Sequence, residues 1–438
     1  MLKSLPRAGL IAAAAALLCA APAMAAEGKI DPADTAFMIA ATALVLLMTL
    51  PGLALFYCGM VRRKNVLATM AQSFAATAVV SLLWFAFGYS FAFRGDGAVF
   101  GGFDRFFLAG IGLESVSPFA GTIPEMLFMV YQMTFAVITC ALVGGAVADR
   151  LKFSAFALFC PLWLLLVYVP SAHWVWGGGF LARLGLIDFA GGTVVHINAG
   201  VAGLVAALVV GARQGYGREN LAPFDLSQAV IGAGLLWVGW FGFNGGSALG
   251  VGSRAVFAIV ATHLSACAGA TVWSGLEWAK RGKPSVLGLI SGAVAGLGAI
   301  TPASGYVLPW HGALIGALAG AICYFASTAL KTRLGYDDSL DVFGVHGVGG
   351  ALGTLLAGVF ATAAVSASAA SPGVAGLLEG NVAQLGAQAI GVVVTVAWCA
   401  IGTSIALRIV DAVVGLRVSP EQEREGLDVA LHGEAMGQ

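Results

Sequence analysis

Two of the six histidines in the sequence share a local pattern that could serve proton or ligand chemistry. His196 and His346 each open the pattern His-x3-Gly-x2-Gly, and each follows an aspartate, Asp188 or Asp338, by eight residues. The glycines that come four and seven positions later share the helix face of the histidine, so a second helix can approach closely. Inside a membrane an ionisable group is costly and usually lines a pathway, which predicts that the two imidazoles meet within a pore.

Other chemistries have weaker support. Two imidazoles without a third Cys, Asp or Glu ligand nearby make a poor zinc site, and the seven cysteines stand singly with no CxxC pair. We interpret the cysteines as small core hydrophobes. The chain has no HExxH motif, and Ser304 in Ala-Ser-Gly lacks the sequence context of a nucleophile. The sequence therefore predicts neither a metal nor a cofactor, and it disfavours an enzyme.

Aromatic and polar residues share helix faces at positions that core packing alone does not explain. Two such faces carry Tyr131 with Gln132 and Phe135, and Trp240 with Phe243 and Ser247. A third group lies in the stretch 171–179, where an interfacial aromatic belt explains Trp174 well but Trp176 less well. Aromatic rings beside a hydroxyl suit a small cation that donates hydrogen bonds.

The composition indicates the kind of element that positions these residues. Only 10% of the 438 residues are charged and 59% are hydrophobic, against about 25% charged in soluble domains. The 61 glycines follow no three-residue period, which excludes a collagen-like chain. The remaining class is a polytopic membrane protein, and a net charge of zero gives no indication of a nucleic-acid partner.

Apolar runs of about 20 residues, each long enough to cross the hydrocarbon core, follow one another along the chain. The sequence predicts eleven of them, near residues 35–58, 69–93, 122–147, 153–170, 193–212, 227–247, 255–279, 285–302, 308–330, 342–361 and 384–410.

The N-terminus predicts a signal peptide over residues 1–25. Lys3 and Arg7 precede an apolar run, and Ala23-Met24-Ala25 supplies a small-x-small cleavage site. An additional Ala-rich helix is the alternative. Of the 22 Lys and Arg residues, two lie in this leader, fifteen lie near the loops after the odd-numbered spans or in the tail, and five lie on the other side. The positive-inside rule then places the mature N-terminus outside and the C-terminus in the cytoplasm.

The two histidine patterns fall in the fifth and tenth spans. Because five is an odd number, a second unit of five spans crosses the membrane in the opposite direction. The sequence therefore predicts an inverted five-helix repeat with an eleventh helix outside it. The predicted fold is an all-α polytopic membrane protein, with a transporter domain over residues 26–410 and a C-terminal tail over residues 411–438.

From about Asp34 to Gly433 the sequence resembles the ammonium transporter family (Amt/Mep/Rh), and specifically its bacterial Amt branch. The stretch Asp188–Gly200 is its most specific element, and 172–179, 240–244, 341–347 and 421–428 support it. The resemblance implies an eleven-helix protomer in a homotrimer with one pore per subunit, in the bacterial inner membrane.

Carried over position by position, the resemblance implies roles for twelve residues. Phe135, Trp176 and Ser247 look like the external ammonium site, Phe135 and Phe243 like the gate beneath it, and His196 and His346 like the twin pore histidines. Asp188 matches an acid that the family requires, either as a helix N-cap, which we favour, or as a direct ligand. Supporting positions are Asp338, Thr301, Tyr168, Trp240 and Tyr131, the last of which stands where the Amt pattern usually has Phe.

The implied activity is the uptake of ammonium as a nitrogen source, with methylammonium as an analogue. Ammonium would bind at the external site and lose its proton, and NH3 would cross an apolar pore; whether the proton follows stays open. A sensor on the same scaffold and a neutral-gas channel of the Rh type are the alternatives. The tail, with Glu421 to Asp428, is by composition a solvated segment, whereas the resemblance implies docking of a trimeric PII-type protein of the GlnK class.

Overall fold

The computed structural model describes residues 28–368 and 371–437, so the predicted signal peptide lies outside the described residues. Eleven apolar helices correspond one to one with the predicted spans, and the predicted all-α membrane fold is confirmed. They are α1 (Pro32–Met60), α2 (Arg63–Phe93), α3 (Glu125–Ala146), α4 (Phe153–Arg183), α5 (Gly192–Val210), α6 (Leu226–Gly245), α7 (Ser253–Arg281), α8 (Val286–Ile300), α9 (Pro309–Leu334), α10 (Phe343–Phe360) and α11 (Val382–Val414). Within this part of the chain, all but α8 are long and apolar enough to cross a membrane.

Two helices extend beyond the limits that hydropathy predicts. The predicted fourth span ends at residue 170, but α4 continues as helix through Trp176 and resumes at Phe180 after a break over residues 177–179. The aromatic stretch that the sequence placed in a loop is therefore the last turn of a helix. Helix α11 likewise runs to Val414, four residues into the predicted tail.

Short elements occupy the loops and the tail. An antiparallel pair of strands, β1 (Val116–Ser117) and β2 (Ala120–Pro124), precedes α3. Two small helices, α12 (Pro420–Glu425) and α13 (Leu427–His432), form the tail. Single helical turns lie at Phe106–Leu108, Ala363–Ser366 and Leu377–Glu379.

Wide π-type turns interrupt several of the helices, some of them at positions that the repeat relates. Helices α4 and α9 contain them at Leu164–Tyr168 and Ala326–Leu330, and α5 and α10 at Gly192–Ile197 and Phe343–Gly347. Helix α6 has one at Phe241–Gly245, and α1 has a kink within Met48–Leu53, where the backbone of Leu50 is not helical. Such turns are rare and frequently mark functional sites. The pairs α4/α9 and α5/α10 support the inverted five-helix repeat, whereas the turn at Trp84–Gly88 in α2 has no counterpart in α7.

Helices α5 and α10 cross in direct backbone contact at the centre of the molecule. A Cβ atom added to Gly200 would lie 2.1 Å from the backbone nitrogen of Gly347, and one added to Gly350 would lie 2.8 Å from the carbonyl oxygen of Gly192. Since only glycine permits this approach, the glycines after each histidine bring the two halves together.

Helix α11 packs against α4, α5 and α10 from outside the repeat. Its Gln388 side chain accepts a hydrogen bond from the backbone nitrogen of Ile187 and donates to the carbonyl oxygens of Ile187 and Thr354. A single buried amide thus joins the eleventh helix to both halves.

Candidate functional site

His196 and His346 lie side by side where α5 and α10 cross. Their Nδ1 atoms are 3.2 Å apart, and the two rings are nearly parallel, with an interplanar angle of 13°. Both side chains are buried. A neutral imidazole carries one N–H, so one Nδ1 donates to the other, and the accepting ring keeps its proton on Nε2.

Asp188 fixes the start of the helix that carries His196. One carboxylate oxygen accepts hydrogen bonds from the backbone nitrogens of Gly191 and Gly192 at 2.8 and 2.6 Å. The other accepts from the backbone nitrogen and hydroxyl of Thr193 and from the backbone nitrogen of Val194. This is N-terminal capping of α5, and it occupies both oxygens of the buried carboxylate.

Asp338 holds the equivalent place before α10 with fewer partners. One of its oxygens accepts a hydrogen bond from the backbone nitrogen of Phe343 at 2.7 Å, and the other has no partner among the described residues. Burial, followed by the nearby charge of Asp341, raises the pKa of Asp338 to about 6. The structure places Asp338 in the loop before α10, where it caps the helix.

Two phenylalanines close the path above the histidines. The rings of Phe135 and Phe243 stack with their centroids 4.2 Å apart and are 1% exposed. The Phe243 ring lies 6.2 Å from the ring of His196. The stacked pair therefore separates the outer cavity from the histidines.

The outer cavity has a volume of about 240 Å³ and brings together the predicted aromatic residues of α3 and α4 with Ser247, which follows the end of α6. Its lining includes Tyr131, Gln132, Phe135, Trp176 and Ser247. The Trp176 ring meets Phe135 edge to face at 5.9 Å, and its indole nitrogen donates to the carbonyl oxygen of Asp188 at 2.8 Å. The Ser247 hydroxyl donates to the carbonyl oxygen of Phe243 at 2.8 Å, which leaves oxygen lone pairs to accept from a cation.

The Tyr131 hydroxyl joins α3 to α6. It lies 2.9 and 3.0 Å from the carbonyl oxygens of Phe243 and Gly242, and 3.3 Å from Ser247 Oγ. The hydroxyl of Tyr131 therefore anchors α3 to α6.

A narrow lumen and an inner cavity follow below the gate. The lumen, lined by Phe243, Trp240, His196 and His346 among apolar side chains, holds only about 10 Å³, which is the lower limit for one water-sized molecule. The inner cavity of about 130 Å³ begins at His346 and includes polar groups from the loops. The three spaces form a sequence of wide, narrow and wide along one path.

The remaining supporting residues differ in their relation to this path. Trp240 stacks on His196 at 5.5 Å, and its indole nitrogen donates to the Thr301 hydroxyl at 2.9 Å. Both therefore support the histidine pair. Tyr168 is buried against Trp84 and lines none of the three cavities.

The sequence did not identify two inner-cavity residues, Arg213 and Asp341, because loop charges carry no periodic signal. His173 lies within the aromatic stretch 171–179, and its sequence pattern indicates no role for it. Among the described residues, no group of three or more His, Cys, Asp or Glu could hold a metal ion.

Comparison with known proteins agrees with this architecture. The family model of the Ammonium Transporter Family matches residues 36–436. A putative ammonium transporter of Methanothermobacter thermautotrophicus is 51% identical over 92% of this chain and 98% of its own length. An ammonium transporter of Aquifex aeolicus is 49% identical over 94% of this chain and 95% of its own.

Solved structures show the same fold. The crystal structure of Saccharomyces cerevisiae Mep2 is 37% identical with a TM-score of 0.83, covering 90% of this chain and 89% of that chain. A structure named Sensor Amt Protein is 31% identical with a TM-score of 0.83, covering 91% and 98%. Ammonium transport, and not catalysis of a reaction, is thus the activity of this multi-pass membrane protein. The chain belongs to the ammonium transporter family.

Proposed function

We propose that the outer cavity recruits NH4+ from the external solution. The faces of Phe135 and Trp176 offer cation–π contacts, each worth about 2 kcal/mol when desolvated. The Ser247 oxygen accepts one hydrogen bond from the ion. Potassium has nearly the size of ammonium but donates no hydrogen bonds, so the hydroxyl discriminates by chemistry and not by diameter.

The ammonium ion loses its proton before the gate, and NH3 passes through. The stacked rings of Phe135 and Phe243 leave no room for a hydrated ion, and the lumen beneath holds about 10 Å³. A bare charge in this apolar lumen would cost about 3 kcal/mol or more. A neutral molecule avoids that cost, because the lumen offers two imidazoles and no carboxylate.

The histidines line the lumen as a neutral pair. One shared hydrogen bond fixes both rings and leaves their other nitrogens and edges toward the lumen. Protonation of the accepting Nδ1 as well would place two N–H groups against each other, so the geometry favours one proton between the two Nδ1 atoms. This arrangement suits a lining whose unprotonated nitrogen accepts a hydrogen bond from an N–H group of NH3, or a relay for a proton. The observation that carries the proposal is the order of aromatic cavity, stacked gate and paired histidines along one path.

The test is a current measurement on a solid-supported membrane that carries the purified protein. An ammonium pulse is expected to give a current if the proton follows NH3, and an equal potassium pulse is expected to give none. A potassium current of the same size would overturn the proposed selectivity. Absence of an ammonium current, with uptake of labelled methylammonium intact, would show net NH3 conduction.

The outer site has its own test in the Trp176→Leu variant. Uptake at low substrate concentration is expected to fall about thirtyfold, since one desolvated cation–π contact of about 2 kcal/mol is lost. Trp174→Leu is the matched control, because that ring packs against Phe180 and Trp398 and does not line the cavity. Full uptake by Trp176→Leu at low ammonium would favour a neutral-gas channel.

We further propose that three copies assemble in the inner membrane, with the mature N-terminus periplasmic and the tail cytoplasmic. A PII-type protein of the GlnK class then docks on the cytoplasmic face and closes the exits. Support comes from the family membership and from the uneven distribution of Lys and Arg. Deletion of residues 415–438 is expected to abolish binding of the purified partner in a pull-down. Unchanged binding would assign the docking site to the inner loops alone.

A further inference from the structure

His173 is a buried titratable residue that the transport path does not use. It lies in the last turn of the helix that ends at Trp176, and its side chain is 0% exposed. Its Nδ1 atom is 2.9 Å from the carbonyl oxygen of Ala92, and its Nε2 atom is 2.6 Å from the carbonyl oxygen of Gly97. Both ring nitrogens therefore face groups that can only accept hydrogen bonds.

A neutral imidazole cannot satisfy this arrangement. It carries one N–H, so its second nitrogen would point a lone pair at a carbonyl oxygen. Turning the ring over would bring two carbon atoms to the carbonyls instead. Only the imidazolium, with a proton on each nitrogen, donates to both Ala92 and Gly97.

The surroundings favour such a cation. Ala92 is the penultimate residue of α2, so its carbonyl belongs to the last turn, where no intrahelical donor is available. His173 lies in the last turn of its own helix as well. Two helix C-termini thus point their partial negative charges at one ring, and each favours a positive charge there.

The ionisable groups on the elements around His173 have other partners or lie further away. No acidic group of the described residues forms an ion pair with His173 within 4 Å. Asp188 is occupied by the start of α5, and the Arg183 guanidinium donates to the carbonyl oxygens of Gly178 and Asp96. The remaining ionisable groups on residues 84–99, on α4 and at the start of α5 are Tyr89, Arg94, Asp96, Cys160, Tyr168 and His196.

Backbone hydrogen bonds connect His173 to the turn that follows Trp176 in the outer cavity. Its carbonyl oxygen accepts hydrogen bonds from the nitrogens of Gly177 and Gly179 and so closes the turn that carries Trp176. At Gly177 a Cβ atom would lie 1.9 Å from the Ala92 oxygen and 2.8 Å from His173 Nδ1. The α2 end, the ring and the turn are therefore in close contact.

We propose that His173, protonated on both ring nitrogens, braces the end of α4 against the loop after α2 and so positions Trp176, making the affinity of the outer site depend on external pH. This inference rests on the proposed recruitment of ammonium at that site. His173 is a positioning residue, because it acts through Trp176 and does not line the cavity.

The first test measures KM and Vmax for methylammonium uptake from about pH 5.5 to about pH 8.5, a range in which histidine is the side chain that ordinarily titrates. Methylammonium stays protonated throughout this range. In the wild type, KM is expected to rise about threefold to tenfold as pH increases, with little change in Vmax, since one of two charge-assisted hydrogen bonds is lost. His173→Gln is expected to keep the high KM at every pH, and His173→Lys, which stays charged, the low one.

His311→Gln is the matched control, because His311 is also a buried histidine but lies at the start of α9, where it accepts from the backbone nitrogen of Leu308. It is expected to retain the wild-type pH profile. A wild-type KM that does not change with pH, or a His173→Gln variant with the wild-type profile, would overturn the proposal.

The second test needs only a spectrum. Solid-state NMR of protein labelled with ¹⁵N-histidine is expected to show a doubly protonated ring near neutral pH that is absent from His173→Gln. A spectrum without an imidazolium signal would refute the brace. Refutation of ammonium recruitment and refutation of the His173 brace give different results. Unchanged uptake by Trp176→Leu would refute the recruitment site, whereas the imidazolium signal in the NMR spectrum would remain.

Discussion

Asp188 and Asp338 occupy equivalent positions in the two halves of the molecule, yet their surroundings differ. Five hydrogen bonds reach the carboxylate of Asp188, whereas Asp338 has one oxygen without a partner among the described residues. Both oxygens of Asp188 thus have hydrogen-bond partners at the start of α5. Asp338 lacks that compensation, and its protonation is therefore coupled to folding.

Replacement of Asp338 by Asn is expected to remove a pH dependence of stability. Burial raises the pKa of Asp338 from 3.8 to about 6, so the folded protein binds this proton more tightly than the unfolded chain does. Its contribution to the free energy of unfolding falls as pH rises from about 4 to about 6, by about 2 to 3 kcal/mol, and stays constant above. Denaturant unfolding of the detergent-solubilised protein at several pH values measures the difference between wild type and variant.

Asp337→Asn supplies a control of opposite sign. Although burial acts to raise the pKa of Asp337, its hydrogen bonds and ion pair with Arg213 lower it below the ordinary value. That variant is expected to lose stability at neutral pH, and the loss disappears as pH falls below about 4. If Asp338→Asn unfolds with the same pH dependence as the wild type, the proton is not held by Asp338.

Residue types and spacing predicted the histidine pair and the aromatic cluster, because ionisable and polar side chains are conspicuous within apolar helices. The sequence could not assign His173, since its partners are two backbone carbonyls about 80 residues earlier in the chain. Nor could it separate Tyr168 from the site residues, because an apolar helix gives no indication of which face meets the path. Backbone partners and helix rotation are properties of the packed fold.

At the scale of helices, hydropathy predicted the number and centres of the spans but not their ends. Helix α4 continues through Trp176 because its last turn is packed against α2 and is closed by Gly177 and Gly179, and this packing compensates for a local sequence rich in glycine and aromatic residues. The π-type turns were also absent from the prediction. They leave the apolar periodicity of a helix almost unchanged, so their signal appears only in the backbone.

The contact between α5 and α10 predicts a severe effect for Gly200→Ala. The added Cβ would lie 2.1 and 2.2 Å from backbone atoms of Gly347, which cannot rotate away as a side chain would. The helices must separate, at a cost of about 1 to 3 kcal/mol or more, and the hydrogen bond between the histidines lengthens. Methylammonium uptake is expected to be lost, together with a lower unfolding temperature in detergent.

Gly275→Ala in α7 is the matched control, because nothing lies within 4 Å of its added Cβ. It is expected to leave uptake unchanged and to raise helix stability slightly. Wild-type uptake in Gly200→Ala would mean that the pore tolerates a wider separation of α5 and α10 than the structure has.

At the scale of the whole molecule, the tail is part of the folded structure. Its composition suggested a solvated segment, but this interpretation is wrong for Glu423 and Asp428, which are both 1% exposed. The Asp428 carboxylate accepts hydrogen bonds from the backbone nitrogens of Leu67 and Ala68, near the start of α2. Charges that looked like a solvated run therefore connect the C-terminus to the start of α2.

Glu423 joins the tail to a loop, and its removal is expected to release α12 and α13. Its carboxylate accepts from the backbone nitrogen of Gln214 at 2.7 Å and from the Arg417 guanidinium at 2.8 Å. Glu423→Ala removes the acceptor of the Gln214 nitrogen and the ion pair with Arg417, whose guanidinium keeps the carbonyl oxygens of Val210 and Ala212. The loss of these two bonds of the buried carboxylate costs about 1 to 3 kcal/mol, enough to detach two short helices. Trypsin should then cut after Arg424 at least about fivefold faster than in wild type, as fragment masses of the detergent-solubilised protein would show.

Glu421→Ala is the control, because the exposed Glu421 has only a loose 3.6 Å pair with Arg424, and it should not accelerate cleavage. Equal resistance of the two variants would mean that Asp428 and the start of α2 hold the tail on their own, and Asp428→Asn would then be the variant that releases it.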